Sequence, residues 1–210
     1  DRFKGHWEAA NYHFDRVIYR AIPDTTVRLA NLRAGELDML ERLAPTDVKS
    51  AQGDKTLKVA SMPNLGYQGI TINTNHGDAA NQPMGKDKRV RQALSLSIDR
   101  KVLSQVVFEG LYAPIIQPFP PTSTFVDAKL PVPERDVAKA KALLKEAGQS
   151  KVSVELFVTN NPVDAQLGQV IQAMAQEAGI DIQIRSTEFA SQLRDQQQGK
   201  FQMSRVGWSG

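Results

Sequence analysis

The feature that most constrains this chain is the run from Val152 to Trp208. Val152 to Thr159 alternates apolar and polar residues, which predicts a strand. Pro162 to Ala178 follows as an amphipathic helix, with Leu167, Val170, Ile171, Met174 and Ala178 on its inward face and Gly179 at its end. Ile180 to Ser186 reads as a second strand. Phe189 to Gln198 reads as a helix ended by Gly199, and Phe201 to Trp208 as a third strand. A β-α-β-α-β order predicts an α/β fold with parallel strands and right-handed crossovers. Open sheets of this kind bind ligands at the carboxyl ends of their strands. Thr159-Asn160-Asn161 and Gly207-Trp208-Ser209 fall at such ends.

The earlier residues are more mixed. Phe14 to Ile22, rich in Val, Ile, Tyr and Phe and closed by Pro23, predicts a strand. Asp24 caps a helix over Thr25 to Ala34 that Gly35 stops, and Glu36 to Leu40 returns to strand. Thr46 or Asp47 opens a short helix ending near Gly53. Thr56 to Ala60 and Tyr67 to Asn73 read as further strands, giving β-α-β-α-β-β. Thr74 to Met84 has no periodicity and marks a boundary or hinge. Asp87 or Lys88 begins a helix, and Asp99 caps another over Arg100 to Glu109. Leu111 to Pro133 contains Pro114, Pro118, Pro120, Pro121, Pro131 and Pro133, so it is neither helix nor central strand. It is either a structural wrap or a binding loop. Asp136 to Ala147 is helical, with Val137, Ala140, Leu143 and Leu144 forming the stripe.

Composition removes several function classes. None of the 210 residues is cysteine, which excludes disulfides, zinc–thiolate sites, iron–sulfur clusters and a cysteine nucleophile. The formal charge of +3 is small and scattered. Its densest stretch, Lys86 to Arg91, contains Asp87 and reads as a solvated helix start, with a nucleic-acid face as the alternative. No apolar run approaches the roughly 20 residues of a membrane helix. The chain lacks a G-x-S-x-G elbow and a G-x-G-x-x-G loop. Gly85-Lys86 fails as a phosphate loop, because Ala80 and Asp87 stand where Gly and Ser or Thr are needed. His6, His13 and His76 have no metal-ligand spacing. Glu36 and Asp38 share one side of a predicted strand, as an acid/base pair or simply as an exposed face. With no catalytic constellation, the expectation is a binder rather than an enzyme, with no catalytic residue, metal or cofactor. Both ends read as cut from a longer polypeptide.

Particular strings carry a resemblance. Ile22-Pro23-Asp24 through Leu32-Arg33-Ala34-Gly35-Glu36-Leu37-Asp38 resembles the "ipD…ar…aL.aGE.D" segment of the bacterial extracellular solute-binding proteins of family 5. Asn73, Lys88-Arg89-Val90-Arg91-Gln92-Ala93-Leu94 and Ile98-Asp99-Arg100 resemble its "N…P…d.rVRqAl..aiDr" signature. Val107 to Leu111 is similar to its "v..G.a" continuation, and Ala138 to Gly148 to its "kAk.LL.eAG". Gly179-Ile180 and Gly207-Trp208-Ser209-Gly210 resemble "Gi.v.i" and "gWsg". That family holds dipeptide-, oligopeptide-, glutathione- and nickel-binding components of ABC importers.

The resemblance implies a periplasmic-binding-protein-like fold of type II, with two lobes closing on a ligand. Residues 1–75 would then belong to the first lobe, 76–86 to the crossover between lobes, and 87–210 to the start of the second lobe. It also implies a small-molecule ligand, a peptide foremost, and ABC permease subunits as partners. No nucleic acid, cofactor or enzymatic activity is implied, and the expected state is a monomer, periplasmic or exported and membrane-anchored. The residues after "GE.D", which are Leu40, Glu41 and Arg42, would face the cleft, as would Arg205, Trp208 and Ser209 on the strand leading into "gW". Arg205 can fork onto a ligand carboxylate, and Trp208 can cover an apolar side chain. The alternatives are a solvated Arg205 and a core Trp208. The rival functions are a hydrolase on an α/β sheet and a basic nucleic-acid-binding domain.

Overall fold

The computed structural model describes residues 1–62 and 66–208. The chain forms two compact units, Asp1–Leu40 and Glu41–Gly210.

In the first unit, α1 spans Thr25–Arg33. The Asp24 carboxylate accepts the Thr26 and Val27 N–H groups at 2.8 and 3.0 Å, satisfying donors that the first turn leaves open. Gly35, at φ +76°, takes the left-handed turn that ends the helix. The strands expected over Phe14 to Ile22 and Glu36 to Leu40 are absent: neither segment has strand structure. A strand is stabilised by its ladder, and within Asp1–Leu40 these segments have none to join. Phe14 is 75% exposed and Tyr19 89%. Local contacts hold this region instead: the Arg2 N–H donates to Asp15 O at 2.7 Å, and Arg28 Nη1 to Ile22 O at 2.9 Å.

The second unit contains α2 (Val48–Gln52), β1 (Tyr67–Ile72), α3 (Pro83–Lys86), α4 (Lys88–Ser97), α5 (Arg100–Phe108), α6 (Val137–Glu146), β2 (Val152–Thr159), α7 (Pro162–Glu177), β3 (Ile180–Thr187), α8 (Phe189–Gln197) and β4 (Met203–Trp208). Four strands form one sheet in the order β1-β4-β2-β3. The β-α-β-α-β run is therefore present as read, with β2 parallel to both β3 and β4. β1 closes the other edge antiparallel to β4, in the register Tyr67↔Trp208 through Ile72↔Met203. The strand expected over Thr56 to Ala60 does not form. Asp54 instead accepts the Thr56 N–H and hydroxyl at 3.0 and 2.6 Å, a local turn that competes with extended pairing.

The core lies between the sheet and its helices. Val152, Val154, Leu156 and Val158 of β2 are buried, with Ile180 and Ile182 of β3, Leu167, Ile171 and Ala175 of α7, and Val90, Leu94, Ala140 and Leu144 of α4 and α6. Each Val, Leu or Ile side chain withdrawn this way contributes about 1.5–3 kcal/mol. Gly168 lets α7 approach β2 closely, since a Cβ there would stand 3.1 Å from Val158 Cγ1. Asp87, Asp99 and Asp136 cap α4, α5 and α6 with their carboxylates.

Residues 74–84, read as a break, contain a 3-10 turn at Asp78–Ala80 and lead into α3. Just ahead of them, buried Asn73 donates its amide to His76 O at 2.7 Å, Phe201 O at 2.9 Å and Gly199 O at 3.3 Å, and accepts the His76 N–H at 2.9 Å. Compactness divides the chain after Leu40, whereas the expected crossover at 76–86 joins β1, a member of the sheet, to α4. Leu111 to Pro133 has neither helix nor strand. Gln117 pins it, donating to Asp127 O at 2.9 Å and accepting the Asp127 N–H at 3.0 Å.

Candidate functional site

Where β2 ends and α7 begins, the sequence places Asn161 as the N-cap and Asp164 in the first turn. Asn161 Oδ1 accepts the Asp164 N–H at 2.9 Å, and Asn161 Nδ2 donates to Asp164 Oδ2 at 3.0 Å. Asp164 is thus fixed at the positive end of a 16-residue helix, which favours its charge. Its Oδ1 lies 3.0 Å from Nε of Arg205 on β4, and the two side chains are 4% and 18% exposed. The Nε hydrogen is not aligned on the carboxylate and has no hydrogen-bond acceptor, so the contact is an ion pair rather than a directed bond.

Burial pulls the Arg205 guanidinium below its usual pKa. The Asp164 charge opposes that pull, as does Tyr112, while the positive charge of Arg42 adds to it. Arg42, Tyr112, Asp164 and Arg205 therefore form one electrostatic neighbourhood, assembled from the segment after Leu40, the proline-rich loop, the α7 start and β4. Arg42 sits in the left-handed region at φ +60°, a conformation that costs a non-glycine residue about 1–3 kcal/mol.

Helix α8 supports this arrangement from beneath. Buried Gln192 donates through Nε2 to Ser204 Oγ and to Arg205 O, both at 2.7 Å, and its Oε1 accepts the Thr159 hydroxyl at 3.2 Å. Gln196 adds a second bond to Ser204 Oγ at 2.5 Å. The ends of β2 and β4 are thereby tied to one helix, which fixes the backbone that carries Arg205.

Of the residues expected at the site, Arg42 lies within electrostatic range of Arg205. Arg205 is mostly buried, not simply solvated. Trp208 is 69% exposed at the end of β4, opposite Tyr67, so the core alternative for it falls. Glu41 is exposed and follows the end of the first unit. Ser209 lies outside the described residues. Sequence reasoning missed Asp164, Gln192 and Tyr112. Asp164 had a signal in the Asn-x-x-Asp spacing at a helix start, close to a capping box. Gln192 had none beyond its place on an inward helix face. Among the described residues, no group of three His, Cys, Asp or Glu side chains is placed to hold a metal ion, and no helix is long and apolar enough to cross a membrane.

A family model, bacterial extracellular solute-binding proteins, family 5 Middle, matches residues 1–210. The probable di/tripeptide-binding protein 5 of Pseudomonas aeruginosa is 32% identical over 201 residues, covering 93% of this chain and 37% of that protein. The glutathione-binding protein of Salmonella paratyphi A is 30% identical, covering 99% of this chain and 41% of its own length. The ABC transporter-associated periplasmic binding protein DppA from Helicobacter pylori, solved with the peptide STSA, superposes with a TM-score of 0.81 at 28% identity, over 91% of this chain and 36% of that one. The chain thus spans about two fifths of the length of these relatives, and its α/β sheet is that of the type II periplasmic binding proteins. On the match across its whole length, this chain belongs to the bacterial extracellular solute-binding proteins of family 5.

Proposed function

We propose that the protein is the substrate-binding component of an ABC importer, and that it captures a peptide in the periplasm and delivers it unchanged to the membrane permease. The observation that carries this reading is Arg205: a largely buried guanidinium on β4, just past the strand's parallel pairing with β2 and towards the carboxyl side, where ligands of open α/β sheets bind. Its fork matches the oxygen groups of a peptide. Exposed Trp208 lies three positions further along β4, so it leaves the strand on the face opposite Arg205 and offers an apolar ring at the strand end. Arg42, Glu41 and Ser209 complete the candidate contacts. The relatives named for di- and tripeptides and for glutathione share a peptide-like ligand class, which supports the same reading.

In this reading residues 1–75 belong to one lobe and 87–210 to the other, with 76–86 the passage between them. Closure of the lobes would trap the ligand, and the closed form would be what the permease recognises. No bond is made or broken, no cofactor or nucleic acid takes part, and the protein acts as a monomer.

The test is calorimetric titration of the full-length protein with di- and tripeptides, glutathione and a nickel–histidine complex. Saturable binding of peptides, weakened by Arg205→Ala, is the expected result. Binding of the nickel complex alone would remove the peptide assignment, and hydrolysis of any peptide in the panel would remove the carrier role.

A further inference from the structure

The carboxylate beside Arg205 is better placed to set charge than to touch a ligand. Asp164 is 4% exposed, and Asn161 holds its second oxygen at 3.0 Å. The Arg205 Nε hydrogen is not aligned on it, so Asp164 does little to orient the guanidinium. Orientation comes from the strand, which Gln192 grips at Arg205 O at 2.7 Å. What Asp164 contributes at 3.0 Å is a full negative charge in a poorly hydrated place, where screening is weak. Arg205 and Asp164 together sum to zero. Arg42 adds a positive charge from an exposed residue, where water and salt attenuate it.

We propose that Asp164 is the residue that decides which charge of ligand group the Arg205 subsite accepts. Because it balances Arg205, the subsite presents hydrogen-bond donors with little net field. It therefore takes a neutral carbonyl group, as in a peptide amide or an internal peptide bond, about as readily as a free carboxylate. This rests on the reading of Arg205 as a ligand contact.

The experiment compares trialanine with its C-terminal amide on the full-length protein. The unsubstituted protein is expected to bind the two within about threefold, and Asp164→Asn to raise the carboxylate-to-amide affinity ratio about tenfold. Asp164→Glu, which keeps the charge, should leave the ratio near the unsubstituted value. A ratio that is unchanged or lower in Asp164→Asn overturns the proposal, as does a strong carboxylate preference in the unsubstituted protein. Should Asp164→Asn fail to fold, salt dependence on the unsubstituted protein decides. Parallel slopes for the two peptides support a balanced subsite, and a steeper slope for trialanine overturns it. Arg205→Ala separates the two levels of inference. Loss of affinity for both peptides upholds the contact, so that a fixed ratio in Asp164→Asn then sinks the role of Asp164 alone. No loss for either peptide, or no binding of either by the unsubstituted protein, sinks the contact reading and this proposal with it.

Discussion

Two stretches of this molecule have strand-like sequences and opposite fates. Phe14 to Ile22 is rich in β-branched and aromatic residues, as is Val152 to Thr159. The second is a buried strand flanked by β3 and β4; the first is an exposed segment without strand structure. Residue character is thus a permission to pair, while pairing itself is decided by what else the chain brings alongside. β2 receives both neighbours from within the next few dozen residues, through short helical crossovers. Nothing in Asp1–Leu40 offers Phe14 to Ile22 a comparable edge.

The contrast can be broken or sharpened by substitution. Leu156→Ala, in the fully buried middle of β2, should cost about 2–5 kcal/mol, read as a fall in the denaturant midpoint. Gln192→Ala should cost about 1–3 kcal/mol, because it removes the bonds to Arg205 O and the Thr159 hydroxyl and leaves Ser204 Oγ with Gln196 alone. Ile18→Thr in the exposed segment should change stability by less than about 0.5 kcal/mol, and a loss comparable to that of Leu156→Ala would erase the contrast.

The smallest effect is confined to acid. The Arg89 guanidinium, together with the Arg89 backbone N–H, lowers the Asp87 carboxyl to about 2 from its usual 3.8. A depressed carboxyl stabilises the fold above its unfolded pKa and loses that contribution as pH falls through the folded value. Asp87→Asn should therefore flatten the acid limb of the stability curve between about pH 4 and 2. An unaltered limb would show that other groups govern it.

Much of the fold was legible because its signals are local. Asp24, Asp87, Asp99 and Asp136 announce helix starts by cap chemistry that depends on neighbours two or three residues away. The β-α-β-α-β run announces itself by a change of period. Pairing of β1 with β4 was not legible, since Ile72 and Met203 are brought together by everything between them. The same limit governs the site. Arg205 could be singled out from the resemblance, on the strand leading into "gW", but its counter-charge comes from the start of α7 and its support from α8, and neither partner is marked by proximity in sequence. The strands expected at Glu36 to Leu40 and Thr56 to Ala60, which do not form, show the converse error, in which short apolar alternation is overridden by turn-forming Asp and Gly neighbours.

The Asn73 clasp has a mechanical meaning. One amide bridges the end of β1 to the turn that feeds β4, and the Asn73 N–H continues the connection to Gln202 O at 2.9 Å. The two strands are therefore riveted at the base of the pair, and a slip of register between them would first have to break this clasp.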